Sequence, residues 1–182
     1  MGGHDISRKP AVQDIVSTER LTIEWLAPRH AQQLFDALNH ELVGRFLDGP
    51  DVTTVEALEQ RIIRVTSEAP PEREERWRNF AVLLDGRVIG RLEATLHRSV
   101  AEVAYVFGPT WWGHGYATEA TAWLLEYLRE TGLSEAWATI TPANAASARL
   151  LARLGFVLAD PPECVSCDDG DVALVLRLAS VR

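Results

Sequence analysis

The chain has 182 residues, with 26 Asp and Glu against 18 Lys and Arg, a net charge of −8, and 47% hydrophobic and 24% charged residues. That size and composition describe one ordinary globular domain, large enough to close a core without disulfides or a structural metal. The acidic balance argues against nucleic acid, whose phosphates call for clustered Lys and Arg, and suits a cationic partner instead. No apolar run approaches the ~20 residues of a membrane helix, and the start MGGHDISRKP lacks the apolar stretch of a secretory signal. A cytosolic protein with no membrane partner is therefore expected. Cys164 and Cys167 form a lone CxxC on a polar loop, and the scattered His4, His30, His40, His97 and His114 do not obviously supply the two further ligands of a zinc site, so reduced surface thiols and no metal are expected.

In chain order, residues 1–17 lack periodicity and contain Pro10, which reads as a mobile tail or an edge extension, with a single domain over 18–182. LTIEWLA, Leu21 to Ala27, alternates as a half-buried strand and stops at Pro28. A helix is expected from His30 to Asn39, with Ala31, Leu34, Phe35 and Leu38 at helical spacing. Beyond a Gly44 to Pro50 loop, Thr53 or Thr54 can cap a second helix that carries Val55, Leu58, Ile62 and Val65 on one side. Pro70, Pro71 and the charged run to Arg76 read as an exposed loop. NFAVLL, the Asp85-Gly86 turn and RVIGRLEATL then form a hairpin, followed by the strand AEVAYVFG, Ala101 to Gly108. A loop through Trp112 opens a helix with Ala117, Ala120, Thr121, Leu124 and Leu128 on one face, and Gly132 is placed to end it. AWATIT, Ala136 to Thr141, is a short strand. Asn144 caps a helix through Leu154, Gly155 ends it, Phe156 begins a strand and DVALVLRL supplies the last one. The succession is α/β with a mixed sheet.

The segment Trp112-Gly113-His114-Gly115-Tyr116-Ala117-Thr118-Glu119 places small residues where a strand ends and a helix begins. Phosphate oxygens can approach bare backbone N–H groups there, with the helix macrodipole adding about half a positive charge. A plain turn would use the same glycines. Neither a Walker lysine pattern nor GxGxxG is present, which argues against nucleotide hydrolysis and hydride transfer. A second element, Asn144-Ala145-Ala146-Ser147 closing at Gly155-Phe156, follows 29 residues after Gly115.

Together the two elements resemble the GNAT family of acetyl-CoA-dependent N-acetyltransferases, whose pyrophosphate loop Q/R-x-x-G-x-G/A precedes a helix that opens N-x-x-S/A and closes in GF. The segments ERLTIEWLAPRHAQQLFDAL, NFAVLLDGRVIG, AEVAYVF and GHGYATEA look like its RimJ/RimL-like branch, which acetylates protein N-termini or small amines. The resemblance implies a mixed, mainly antiparallel twisted sheet with splayed central parallel strands, flanked by helices. It also implies acetyl-CoA as cofactor, held by Gly113, His114, Gly115, Tyr116, Ala117 and Thr118 and by Asn144. Trp112 departs from the motif's Gln or Arg. The splayed strands would be AEVAYVFG and AWATIT, with backbone groups of Val106 and Phe107 gripping the pantetheine arm. Many relatives carry a Tyr four residues beyond Ser147 to protonate the departing thiolate, whereas this chain has Leu151, so the resemblance points to Ser147 for that job.

An amine acceptor needs a base, because an alkyl ammonium with a pKa near ~10 is almost entirely protonated at neutral pH. Candidates are Glu93 and Glu102 on the central strands and Glu163 or Asp168 on the loop after Phe156, with Glu102 favoured. Trp25, Trp77, Trp111 and Trp112 serve as core or loop anchors, while Trp77, Trp111, Phe46 and Asp48 can line the acceptor mouth. The expected reaction is direct acetyl transfer to a primary amine, either a peptide N-terminus or a small cation, in a ternary complex. A non-catalytic acyl-CoA-binding module is the alternative, and a homodimer is left open.

Overall fold

A computed structural model of the protein describes residues 15–46, 53–67 and 75–178. Eight strands form one sheet in the order β1-β2-β3-β4-β5-β6-β8-β7. They are β1 (Ile15–Ser17), β2 (Thr22–Trp25), β3 (Arg76–Leu84), β4 (Arg87–Leu96), β5 (Val100–Phe107), β6 (Glu135–Ile140), β7 (Val157–Leu158) and β8 (Val172–Arg177). Every neighbouring pair is antiparallel except β5 and β6. This is the mixed α/β sheet that the sequence pattern implies, mainly antiparallel and flanked by helices as the family resemblance implies.

The pleat divides the core. On β3, Phe80 and Val82 face one side and pack with Leu124, Leu128 and Leu151, from α4 (Tyr116–Glu130) and α5 (Ala145–Arg153). Ala81 and Leu83 face the other side and meet Leu34, Leu58 and Ile62, from α1 (Ala31–Leu38) and α3 (Val55–Thr66). Alternation along a strand puts consecutive side chains on opposite faces, so one apolar run builds two cores. The β3–β4 hairpin closes through Asp85 and Gly86 at φ 49° and 78°, the pair of positive values a type I′ turn demands. Thr54 caps α3 by accepting from the Ala57 N–H, and Asn144 caps α5 by accepting from the Ser147 N–H.

Some boundaries differ from expectation. Residues 15–17 of the proposed tail add an edge strand to β2, and residues 1–14 lie outside the described residues. Residues 70–74 of the expected loop lie outside the described residues, and Arg76 at its end already belongs to β3, which continues outward opposite Leu96 and Thr95. A one-turn helix, α2 (Glu41–Gly44), follows α1, its start capped by the His40 ring, which accepts from the Leu42 N–H. Histidine is not among the usual N-cap residues, so the pattern carried no signal for it. The first turn of the expected helix at His30 is a 3-10 turn, Pro28–His30.

Candidate active site

The site begins where two central strands part. β5 and β6 pair in parallel only at Val100–Glu135, Ala101–Ala136 and Glu102–Trp137. Beyond that point β5 stays on β4 as far as Phe107, and β6 stays on β8 as far as Ile140. Each strand keeps its outer partner and loses its inner one, which opens a wedge between them.

Register parity says which backbone groups line that wedge. Gly108 N–H donates to Ile89 O, and His97 N–H donates to Val100 O, at opposite ends of the β4–β5 ladder. In an antiparallel ladder residues alternate between pointing both polar groups at one neighbour and both at the other. Glu102, Ala104 and Val106 therefore turn their N–H and C=O groups to β4, and Val103, Tyr105 and Phe107 turn theirs into the wedge. This corrects one expectation: Val106 was to grip a ligand with its backbone, and its backbone is committed to Arg91 on β4. Phe107 does face the opening. Its carbonyl accepts the Trp112 indole N–H at 2.7 Å, so Trp112, in the position of the motif's Gln or Arg, ties the loop to the strand end.

The loop beyond β5 is exposed from Trp112 to Gly115 and leads into α4. Gly113 and Gly115 sit at φ 80° and 84°, left-handed values that other residues reach only with strain. Gly115 is the N-cap of α4 and offers no side-chain acceptor, in contrast to Thr54 and Asn144. The N–H groups of Tyr116, Ala117 and Thr118 thus have no acceptor within the helix, and the first bond of the ladder runs from Glu119 N–H to Gly115 O. Three such donors with the dipole behind them suit an anion. His114 is bonded through Nδ1 to the Trp112 carbonyl and stacks on Tyr116, so its ring shapes the loop. Arg20, from the β1–β2 turn, clamps the loop from outside through Glu119, at 2.7 Å, and the His114 carbonyl, at 2.9 Å.

Across the wedge, Asn144 Oδ1 accepts the Ser147 N–H at 3.1 Å, which turns the first turn of α5 toward β5. There Ser147 Oγ lies 2.6 Å from the Tyr105 hydroxyl. Tyr105 was absent from the sequence reasoning. The one available signal was a half-buried tyrosine in an apolar strand, whose hydroxyl must find a partner, and nothing local says which. Burial pushes the Tyr105 phenol above its usual value of 10, with the Ser147 bond pulling weakly the other way. Leu151, one turn beyond Ser147, is fully buried.

The face toward α1 and α3 carries the carboxylates. Glu93 stands opposite Ala104, and Thr95 opposite Glu102, so Glu93 and Glu102 are diagonal neighbours on one face. Trp77, opposite Thr95, continues that row on β3. Glu93 is gripped by cations, with Arg91 Nε at 3.0 Å and Arg61 Nη2 at 3.9 Å from one oxygen. Glu102 sits at the vertex of the wedge, one oxygen 3.0 Å from His97 Nε2 and the other accepting the Ser166 N–H at 3.2 Å. Ala104, beside them, is exposed in mid-sheet, so this face is open to solvent.

The remaining candidates fall elsewhere. Glu163 and Asp168 are exposed on the loop before β8, as are Cys164 and Cys167, both free thiols. Trp25 packs on Phe80 with centroids 4.5 Å apart and is a core residue. Trp111 holds Arg87 over its ring. Phe46 is 39% exposed, and Asp48 lies outside the described residues.

A wedge of unpaired strand edges running to a row of open helix N–H groups has the shape and polarity for an amide-rich arm ending in phosphates. Comparison with known proteins decides the matter: a family model described as "Acetyltransferase (GNAT) domain" matches residues 20–157. The chain belongs to the GNAT acetyltransferase family. It is 29% identical over 149 residues to the uncharacterized N-acetyltransferase YoaA of Bacillus subtilis (strain 168), covering 78% of this chain and 82% of that one. In structure it resembles an acetyl transferase from Salmonella typhimurium described as modifying the N-terminal serine of the ribosomal protein L7/L12, with a TM-score of 0.72 at 17% identity over 91% of this chain and 99% of the other. It also resembles the aminoglycoside acetyltransferase AAC(6')-Ib in complex with coenzyme A, with a TM-score of 0.67 at 14% identity over 86% of this chain and 94% of that one. As a GNAT protein the chain is an acetyl-CoA-dependent acetyltransferase. Among the described residues no helix is long and apolar enough to cross a membrane.

Proposed function

We propose that this acetyltransferase moves acetyl from acetyl-CoA directly to a primary amine within a ternary complex, on the RimJ/RimL-like pattern. The observation that carries the reading is the parting of β5 and β6 after Glu102–Trp137, with both strands still paired on their outer sides. Wedge-facing groups of Val103, Tyr105 and Phe107 hold the pantetheine arm as a strand would, and the N–H groups of Tyr116 to Thr118 receive the diphosphate. The thioester supplies an activated carbonyl, and an N–H at the wedge polarises it. On the opposite face Glu102, through water, removes the proton of the incoming ammonium. The transfer needs no acyl-enzyme, and the two cysteines, exposed on the loop before β8, take no part in it.

Among the described residues the acceptor face forms no closed acidic pocket. Arg61 and Arg91 flank Glu93 there, and two guanidiniums oppose a polycation. A single primary amine, such as a peptide N-terminus, fits this balance better than a polyamine does. The test is thiol release from acetyl-CoA against peptides with free N-termini, polyamines and aminoglycosides. Turnover with a peptide subset supports the reading. Tight coenzyme A binding without turnover on any amine would instead establish a non-catalytic binding module.

A further inference from the structure

The family resemblance points to Ser147 as the group that protonates the leaving sulfur and leaves the Tyr105 phenol without a task. That phenol reaches 2.6 Å across the wedge to Ser147 Oγ, and the two residues are 42 apart in sequence. The contact has its own supports. Asn144 fixes the Ser147 backbone, and Ala104 and Val106, which turn their backbone groups to β4, hold Tyr105 between them. Two hydroxyls this close share one proton between them, and whichever accepts keeps its own proton to give elsewhere. Phenol is the stronger acid, so it is the better donor and the alkyl hydroxyl the better acceptor. The Ser147 proton is then the one left for the wedge.

We infer that Tyr105 is a positioning residue for thiolate departure, donating its hydroxyl proton to Ser147 Oγ and so aiming the Ser147 hydroxyl at the thioester sulfur. The inference rests on the acetyl-transfer reading above. When the new C–N bond has formed and the C–S bond breaks, the bonding pair goes to sulfur. Ser147 gives sulfur its proton, and Tyr105 replaces that proton on Oγ. Nitrogen sheds two protons through Glu102, one as the ammonium is neutralised and one after attack; one of them returns by solvent to the phenolate and the other is released to water, so one turnover leaves both hydroxyls as they began. Burial raises the titration of the phenol, so the hydroxyl enters each turnover with its proton. Leu151, apolar and fully buried, offers no rival proton one turn further along α5.

The test compares Tyr105→Phe, Ser147→Ala, the double variant and 3,5-difluorotyrosine at position 105, with acetyl-CoA and the best amine of the panel. Each single variant is expected to lower kcat about 100-fold while KM for acetyl-CoA stays within about twofold. The double variant should be no slower than the slower single one, because both residues serve one proton path. Difluorotyrosine lowers the phenol pKa, so kcat should hold at neutral pH and fall at a lower alkaline pH than in the natural protein. A purely structural ring would not move that limb. Tyr105→Phe with kcat within threefold of the natural protein, or an alkaline limb unmoved by fluorination, would overturn the inference and leave the acetyl-transfer reading intact. Absence of transfer by the natural protein itself would overturn both.

Discussion

Glu93 and Glu102 share a face and a residue type, and their neighbours give them different work. Glu93 lies between the guanidiniums of Arg91 and Arg61, and the Arg91 side chain is only 5% exposed. Its charge is needed where it is. Glu102 instead meets an imidazole and a backbone N–H at the wedge vertex, and the proposed reaction gives it the proton of the amine. We expect Glu102→Gln to lower kcat/KM by about 10²–10³ at neutral pH with an unchanged unfolding midpoint. Glu93→Gln should do the reverse, losing about 1–3 kcal/mol in urea unfolding with a smaller kinetic effect. Equal rates for both variants would remove Glu102 from the role of base. The sequence presented both carboxylates on adjacent strands, but Arg61 on α3 beside Glu93 and the Ser166 N–H on the β7–β8 loop beside Glu102 were invisible in it, because those contacts join segments far apart in the chain.

At the scale of elements, the strand–loop–helix unit from β5 to α4 makes the difference between an ordinary turn and an anion cradle. Two glycines with positive φ let the chain reverse, and an N-cap with no side-chain acceptor leaves the first N–H groups of α4 open. A valine at position 115 would have to take φ near 84°, at a cost of about 1–2 kcal/mol, and relieving that strain would shift the backbone that sets the cradle. Space is less of an obstacle than conformation, since an added Cβ meets only Arg20 Nη2 at 3.4 Å. Gly115→Val should therefore reduce coenzyme A affinity more than tenfold by calorimetry while the circular dichroism spectrum stays native. Undiminished affinity would contradict the cradle. The glycines and the helix start were legible in the sequence, as were Asn144 and Ser147 at one side of α5. The choice of Val103, Tyr105 and Phe107 over Val106 was not, because it depends on which edge of β5 faces β4.

At the scale of the whole molecule, a few polar links fasten distant parts of the chain. Glu119 on α4 receives bonds from Thr18 Oγ, at 2.5 Å, and from Arg20 about a hundred residues earlier, and Glu24 on β2 binds Arg29 and His30. Burial raises the Glu119 carboxyl, but the bonds from Thr18 and Arg20 outweigh it and hold it below 4.5; the bond from Arg29 does the same for Glu24. His30, 5% exposed, is held below 6.5, first by burial and then by Arg29. Its Nδ1 accepts the Ala27 N–H, which fixes the neutral form. For all three groups the unfolded chain binds protons more readily, so stability rises with pH through each window. Acidification should lower Tm in two stages, below 6.5 as unfolded His30 charges and again below 4.5 as the two carboxylates protonate. Thermal unfolding across that range checks this, and a flat Tm would refute it.

By itself the sequence determined the elements and the family, because alternation, capping residues and the glycine loop act over a few residues and leave their pattern in the chain. It also set the order of strands and helices that puts an anion-ready helix start beside a parallel pair. The tertiary structure alone decided where that pair separates, which strand edge is left without a partner, that Trp112 bonds a carbonyl, and that Tyr105 meets Ser147. Those outcomes follow from register and packing between segments many residues apart, and such contacts obey no local periodicity.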